Sequence, residues 1–246
     1  MKALIPAAGH GTRFAPFTKL VPKEMLPIGA RPAIALIVDE AIEAGADEVV
    51  IITSPEKPLL KKWFELEPPK VKITWIDQLE QHGLGHAVLQ AANLFCEKDD
   101  KVLILLGDAL VSGGCASKAM VERSETLGGV AVIGVEEVPL EKVSRYGIMK
   151  VEGDYVVDMV EKPSVDEAPS RLAVAGRYLL PVKIFEYLKT QTPGKGGEIQ
   201  LTDSIKRMIS DGTKLAPYVY PGKRQDIGNP DGYYAALTAF RGECKS

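Results

Sequence analysis

The sequence predicts an α/β fold, a three-layer α/β/α arrangement around a mixed, mostly parallel central sheet. Three observations predict it. Short apolar runs alternate with helix-like stretches from residue 2 to residue 106. The runs are continuously apolar, as strands covered on both faces are. The stretches between them are long enough for the right-handed helical crossovers that join parallel strands.

Lys2 to Pro6 reads as the buried first strand. Residues 7–31 contain Gly9, Gly11, Pro16, Pro22, Pro27 and Gly29 and predict a long loop, a length that is usually functional. Pro32 opens a helix that runs to about Ala44 and is stopped by Gly45. A strand over Glu48–Thr53, a helix over Pro55–Glu65, a strand over Val71–Ile76, a helix over Gly85–Phe95 and a strand over Val102–Leu106 follow. In the second half, Gly129–Val135, Gly147–Val151 and Tyr155–Val160 are strand-like and joined by polar turns such as Gly153–Asp154. They predict an antiparallel or mixed extension of the same sheet. Helices near 181–190 and 198–210, a strand near 215–220 and a helix near 230–240 complete the chain. No repeat, low-complexity segment or linker interrupts it, so residues 1–246 are expected to form one domain.

Composition narrows the function. The 30 basic and 33 acidic residues leave a net charge of −3, too little positive charge for a dedicated DNA or RNA binder. With 46% hydrophobic and 26% charged residues, the chain is an ordinary globular one rather than a disordered one. No run of about 18 apolar residues predicts a membrane span, and glycines and Arg13 interrupt the N-terminal run too early for a signal peptide. Cys96, Cys115 and Cys244 are odd in number and form no Cys-x-x-Cys pair, which predicts a reducing, cytoplasmic setting without a disulfide framework. The 23 glycines and 17 prolines, about 16% of the chain against an average near 12%, concentrate in a few loops.

In a mostly parallel sheet, ligands bind beyond the carboxyl ends of the strands. That rule brings the loop after the first strand, the segment Gln78–Gly85 and the pair Gly107–Asp108 to one rim. The sharpest of these is AAGHGTRFAPFTKLVPKEMLP, residues 7–27. Ala7, Ala8 and Gly9 are small enough for close approach of the backbone to a ligand, and Gly9 and Gly11 permit a tight turn. Successive loop N–H groups make an anion-binding nest. Arg13 adds a planar fork and Lys23 a point charge for phosphate. A lone Gly-x-Gly is as often a structural turn; the cations beside it carry the phosphate reading. Neither a P-loop nor a G-x-G-x-x-G is present, since residue 14 is Phe, so a P-loop NTPase and a dinucleotide-binding dehydrogenase fit poorly.

These residues resemble the signature of the sugar-1-phosphate nucleotidylyltransferases, in particular their bacterial UTP–glucose-1-phosphate uridylyltransferase branch. Further similar segments follow in the family's order: Gln78 with HGLGHAV (82–88), LLGDAL (105–110), SRYG (144–147), VEKP (160–163), AVAGRYLL (173–180), GKGGEIQLTD (194–203) and RQDIG (224–228). The resemblance implies a Rossmann-like, GT-A-like nucleotidyltransferase fold with a nucleotide-binding half over 1–128 and a sugar-binding half over 129–246. It also implies Mg²⁺ as cofactor, UTP or dTTP and a sugar-1-phosphate as partners, and a homo-oligomer, dimer or tetramer. Arg31 and the segment Ile34–Leu36 depart from the family's usual wording, and the chain is shorter than expected.

By that resemblance, Ala7, Ala8, Gly9, Gly11, Thr12, Arg13, Lys23, Glu24, Gln78, Gly83 and Asp108 are the nucleotide-binding residues. Gly147, Glu161, Lys162 and Val174 are the sugar-phosphate set. Arg13, Lys23, Asp108 and Lys162 are the catalytic candidates, and Asp108 and Asp226 the metal ligands. The residues themselves support part of this. A carboxylate at the end of a buried strand, as at Asp108, suits a hard divalent cation. The Gln78 amide both donates and accepts, which suits a pyrimidine edge. Asp226 before Ile-Gly also suits a turn, and an adjacent Glu161–Lys162 pair also suits a solvated strand end. His82 and His86 are spaced like a metal pair, but glycines at 83 and 85 argue against zinc, and His10 has no assigned role.

The reaction expected is in-line attack of a glucose-1-phosphate oxygen on the α-phosphorus of UTP. Competing readings are a thymidylyltransferase making dTDP-glucose, a catalytically silent nucleotide-sugar sensor, and a retaining glycosyltransferase. The last lacks an Asp-x-Asp, since position 110 is Leu.

Overall fold

In the computed structural model, which describes residues 1–96 and 100–241, the apolar runs become strands. β1 (Lys2–Pro6) leads into an irregular segment of three short 3-10 turns and a minimal hairpin of β2 (Pro27–Ile28) and β3 (Arg31–Pro32). Then α1 (Ala33–Glu43), β4 (Glu48–Thr53), α2 (Pro58–Leu66), β5 (Lys72–Asp77), α3 (Leu84–Leu89) and β6 (Lys101–Leu105) alternate. The middle of the chain forms β7 (Ala109–Val111), α4 (Ala116–Thr126), β8 (Ala131–Glu137), β9 (Gly147–Glu152), β10 (Tyr155–Glu161) and β11 (Leu172–Pro181). It ends with α5 (Ile184–Lys189), α6 (Leu201–Ser210), β12 (Leu215–Val219), β13 (Arg224–Asp226) and α7 (Pro230–Ala239).

Among the described residues, nine strands form one sheet along the path β10-β9-β11-β6-β1-β4-β5, with β8 on β11 and β12 on β8. β6, β1, β4 and β5 are parallel neighbours. β11 runs against β6, β8 and β9, and β10 against β9. Following the pairings, seven of the nine strands point one way and β10 and β11 the other.

The period of two along β1 shows how the layers arise. Ala3 and Ile5 pack with Ile34, Ile37 and Val38 of α1, Leu60 of α2 and Met120 of α4. Leu4 faces the other way and packs with Val88 of α3, Leu188 of α5 and Ile205 of α6. Ile5, Leu4, Ile51 and Ile104 are fully buried, and each such side chain contributes about 1.5–3 kcal/mol of transfer free energy. Covering on both faces is why these strands read as unbroken apolar runs.

Several elements differ from expectation, the short pairs β2–β3 and β7–β13 among them. α3 stops at Leu89 and passes into a 3-10 turn over Ala92–Leu94, where a helix to Phe95 is expected. α4 has no helical signal of its own: its N-cap is Cys115, whose sulfur accepts weakly from the Lys118 N–H at 3.4 Å. β11 is hidden because Gly176 and Arg177 interrupt its apolar run, and its register on β8 shifts between Val174 and Tyr178. Cys244 lies outside the described residues. No described helix is long and apolar enough to cross a membrane.

Arg177 explains why so polar a break is tolerated. Its side chain is fully buried, with Nε 2.9 Å from Glu40 Oε1 and Nη2 2.7 Å from Glu40 Oε2. The guanidinium also donates to the carbonyls of Ala109, at 2.8 Å, and Gly176. Glu40 in turn accepts from the Ser117 hydroxyl and N–H. One ion pair thus ties α1, α4, β7 and β11 together. Burial works against the Glu40 charge, but the Arg177 guanidinium outweighs it and holds the carboxyl below its ordinary pKa. The resulting stability is complete above the ordinary carboxylate range and is lost as pH falls through that lowered value. Glu40→Gln leaves the guanidinium buried without its counter-charge. It should cost about 3–5 kcal/mol in urea unfolding at pH 7, and the difference from wild type should shrink in acid.

Candidate active site

The sheet order determines where a site forms. From β1 the chain moves outward to β4 and β5, then returns to place β6 on the other side of β1. Such a reversal leaves a crevice beyond the strand ends. The long loop after β1, Gln78 after β5 and Asp108 after β6 all face it, as the rim rule predicts.

The loop is shaped from beneath by a residue that the sequence reading missed. Lys57, nearly buried, donates from Nζ to the carbonyl oxygens of Ala7, at 2.7 Å, and Gly9, at 2.6 Å. It also lies 3.0 Å from both oxygens of Glu24. A trans peptide holds its C=O and the next N–H on opposite edges. Drawing these two carbonyls toward Lys57 therefore turns the N–H groups of Ala8 and His10 away from the ammonium. Gln81 Nε2 similarly holds the Ala8 carbonyl at 2.6 Å. Glu24, expected in the nucleotide set, is 1% exposed; it lies in the crevice wall, with its carboxylate held by Lys57. Burial pushes the Glu24 carboxyl up and the Lys57 ammonium down, and their mutual attraction opposes both shifts.

At the crevice, Lys23 forms an ion pair with Asp108. Burial works against both charges, yet each outweighs it for the other: the Lys23 pKa is raised and that of Asp108 is lowered. Asp108 is therefore ionised at neutral pH. β13 pairs with β7, placing Asp226 opposite Ala109, and the Ile227 N–H donates to the Asp108 carbonyl at 2.9 Å. Both carboxylates converge on Gly228, where an added Cβ would stand 2.8 Å from Asp226 Oδ1 and 3.2 Å from Asp108 Oδ2. Arg13 Nη1 lies 3.6 Å from Asp226 Oδ2. Among the described residues no cluster of three or more His, Cys, Asp or Glu side chains forms a cage. Two carboxylates of this kind are a donor set that would suit a hard divalent cation.

Two cavities meet at Asp108. The first, about 560 Å³, is lined by Ala8, Gly9, Lys23, Glu24, Gln78, Gly83 and Asp108 of the expected nucleotide set, with Gln81 and Glu198. Ala7 is buried behind Gly107, and Gly11 and Thr12 lie in the turn that carries Arg13, outside the lining. Gln78 is 3% exposed, with Nε2 2.8 Å from His86 Nδ1. Gly83, with φ of +100°, also makes room for its neighbour: a Cβ there would stand 2.8 Å from the Ile199 carbonyl oxygen. His82 pairs with Glu80 and stacks edge-on against His86, with ring centroids 5.0 Å apart.

The second cavity, about 280 Å³, is lined by Gly147, Glu161, Lys162 and Val174, together with Arg13, Asp108 and Asp226. Glu161 Oε2 accepts from Thr202 Oγ1 at 2.6 Å, and Gly147 leaves the space for that contact. Lys162 has φ of +46°, its N–H donates to the Tyr146 carbonyl, and its Nζ is 3.5 Å from Glu161 Oε1. Arg224 packs 4.1 Å over the Tyr146 ring with Nε 2.8 Å from Glu136 Oε1. Lys57 has no local signature, and Thr202 and Arg224 lie in the segments GKGGEIQLTD and RQDIG without being singled out there; the role of each emerges through the partner that the fold brings to it. Arg31 pairs with Asp39, away from both cavities.

A profile of nucleotidyl transferases matches residues 2–242. The chain belongs to the nucleotidyl transferase family. Within it, the UTP–glucose-1-phosphate uridylyltransferase of Bacillus subtilis (strain 168) is 40% identical, over 97% of this chain and 90% of that one. UTP–glucose-1-phosphate uridylyltransferase 2 of Staphylococcus saprophyticus is 42% identical, over 94% of this chain and 89% of that one. A solved UDP-glucose pyrophosphorylase complexed with UDP-glucose superposes with a TM-score of 0.90 at 36% identity, over 98% of each chain.

The Lys57 contacts predict a defined defect. The double variant Lys57→Met/Glu24→Gln removes both buried charges together, so it should remain folded by circular dichroism. Its affinity for a nucleoside triphosphate in calorimetric titration should fall about tenfold, roughly 1.4 kcal/mol, because the loop carbonyls lose their holder.

Proposed function

We propose that this protein transfers a uridylyl group from UTP to glucose-1-phosphate, forming UDP-glucose and releasing pyrophosphate. The observation that carries the reading is the meeting of two cavities at Asp108, one edged by the phosphate-type loop and Gln78, the other by Glu161 and Lys162. Relatives at 40% and 42% identity named for this reaction support it.

In the reaction, an oxygen of the sugar phosphate attacks the α-phosphorus of UTP in line. A new P–O bond forms as the bond to the β-phosphate oxygen breaks, and pyrophosphate leaves with that electron pair. The attacking phosphate is already an anion near neutral pH, so no general base is required. The obstacle is repulsion between two polyanions, and positioning and charge are what the protein supplies. Ala8, Gly9, Lys23 and Arg13 hold the triphosphate and the departing pyrophosphate. Gln78 faces the base, Lys162 holds the sugar phosphate, and Glu161 accepts from sugar hydroxyls. Asp108 and Asp226 would hold Mg²⁺, which when bound neutralises phosphate charge. The odd cysteine count without a Cys-x-x-Cys pair supports a cytoplasmic setting.

Pyrophosphate release from UTP and glucose-1-phosphate tests the reading, with dTTP in parallel. Release with UTP is expected. Faster turnover with dTTP overturns the uridine assignment, and no release with either leaves the sensor reading standing. Chelation by EDTA should abolish turnover and added Mg²⁺ restore it. Lys23→Ala should lower kcat about a hundred- to a thousand-fold, the scale of losing one preorganised charge donor; near-normal turnover sinks its assignment.

A further inference from the structure

The amide of Gln78 is held by one imidazole, and that imidazole is held by a second amide. His86, on α3, lies with Nδ1 2.8 Å from Gln78 Nε2 and Nε2 3.1 Å from Gln90 Nε2, so two amide nitrogens face a ring that, when neutral, can accept at only one of its own nitrogens. A neutral imidazole donates from one ring nitrogen and accepts at the other. A glutamine amide exchanges its oxygen and nitrogen by a half-turn, so the way Gln78 is turned depends on which ring nitrogen carries the proton.

Gln90 decides this. The same Gln90 nitrogen lies 3.2 Å from the backbone carbonyl oxygen of His86. A carbonyl oxygen only accepts, so the Gln90 atom facing it is the NH₂ group. That NH₂ group also faces His86 Nε2, which must therefore accept. The ring proton is then on Nδ1, and Nδ1–H donates to Gln78. Gln78 must then be turned by a half-turn from its placement here, offering Oε1 to the ring and its NH₂ to the nucleotide cavity it lines. Protonation of the ring would leave Nδ1 a donor, so this orientation does not depend on the ring's charge.

We propose that His86 is a positioning residue for base selection. By donating from Nδ1 it fixes Gln78 with its NH₂ facing the cavity. With the C4 edge of the base toward Gln78, this favours uracil or thymine, which carry a carbonyl oxygen at C4, over cytosine, which carries an amino group there; the C2 carbonyl is common to all three. The inference rests on the reading of Gln78 as the base-facing residue. It predicts no discrimination between uracil and thymine, whose carbonyls are the same.

Two measurements test it. In the wild-type protein, ¹⁵N NMR of the His86 ring should report the Nδ1–H tautomer. The Nε2–H tautomer overturns the proposal whether or not the protein turns over UTP. In steady-state kinetics with UTP and CTP, His86→Phe keeps a ring in place and removes the donor. It should lower the UTP-over-CTP ratio of kcat/KM about tenfold, through KM, with kcat for saturating UTP nearly unchanged. His86→Gln restores a donor and should recover most of the ratio. An unchanged ratio in His86→Phe, or an equal loss with both nucleotides, overturns the proposal. Absence of UTP turnover in the wild type instead refutes the proposed reaction and leaves the tautomer result to be judged alone.

Discussion

The site depends on one topological constraint, the return of the chain to lay β6 beside β1. Parallel pairing sends both strand ends to the same rim, while the order β6-β1-β4 makes their following segments diverge. The crevice between them is where Lys23 meets Asp108. Gly107 makes the junction tight, since a Cβ there would stand 2.8 Å from the Pro6 carbonyl oxygen. The remaining features act on this crevice. Lys57 shapes its loop wall, the β7–β13 pairing brings Asp226 to Asp108, and Arg177 anchors β7 through the Ala109 carbonyl.

The electrostatics follow from the same arrangement. A net charge of −3 gives the protein no long-range attraction for anions. Cations are instead stored in pairs with carboxylates: Lys23 with Asp108, Lys57 with Glu24, Arg177 with Glu40 and Arg224 with Glu136. Pairing offsets the desolvation that burial imposes on each charge. The pairs divide by position. Those of Lys57 and Arg177 lie beneath the surface and hold backbone carbonyls, so they set geometry. That of Lys23 borders the first cavity, where in the proposed reaction an incoming phosphate would take the place of the carboxylate, and that of Arg224 borders the second. Charge in the proposed reaction is thus redistributed among groups already in position, rather than assembled when ligand arrives.

The legible parts of the fold and site were those set by local sequence. Continuous apolar runs marked β1, β4 and β6 because each is covered on both faces. The loop after β1 was marked by its glycines, prolines and cations, and Asp108 by its place after a buried strand. β11 was not legible. Its apolar run is broken by a charged residue whose burial is acceptable only because Glu40 lies across from it, 137 residues away in sequence. α4 was missed because its cap is a weak sulfur acceptor. That Glu24 is held by Lys57 was not legible either. No local pattern in SPEKP distinguishes a buried, loop-shaping lysine from a solvated one.

By itself, then, the sequence determined the alternation of strands and helices, the parallel half of the sheet, the rim that carries the site and most of the charged groups on it. These follow from periodicity, turn chemistry and chain connectivity, all of them local or nearly so. Tertiary structure alone decided which charges pair and which carboxylate is buried. Hydrogen bonds are directional and buried charges need partners, and in this chain those partners lie from four to more than a hundred residues apart.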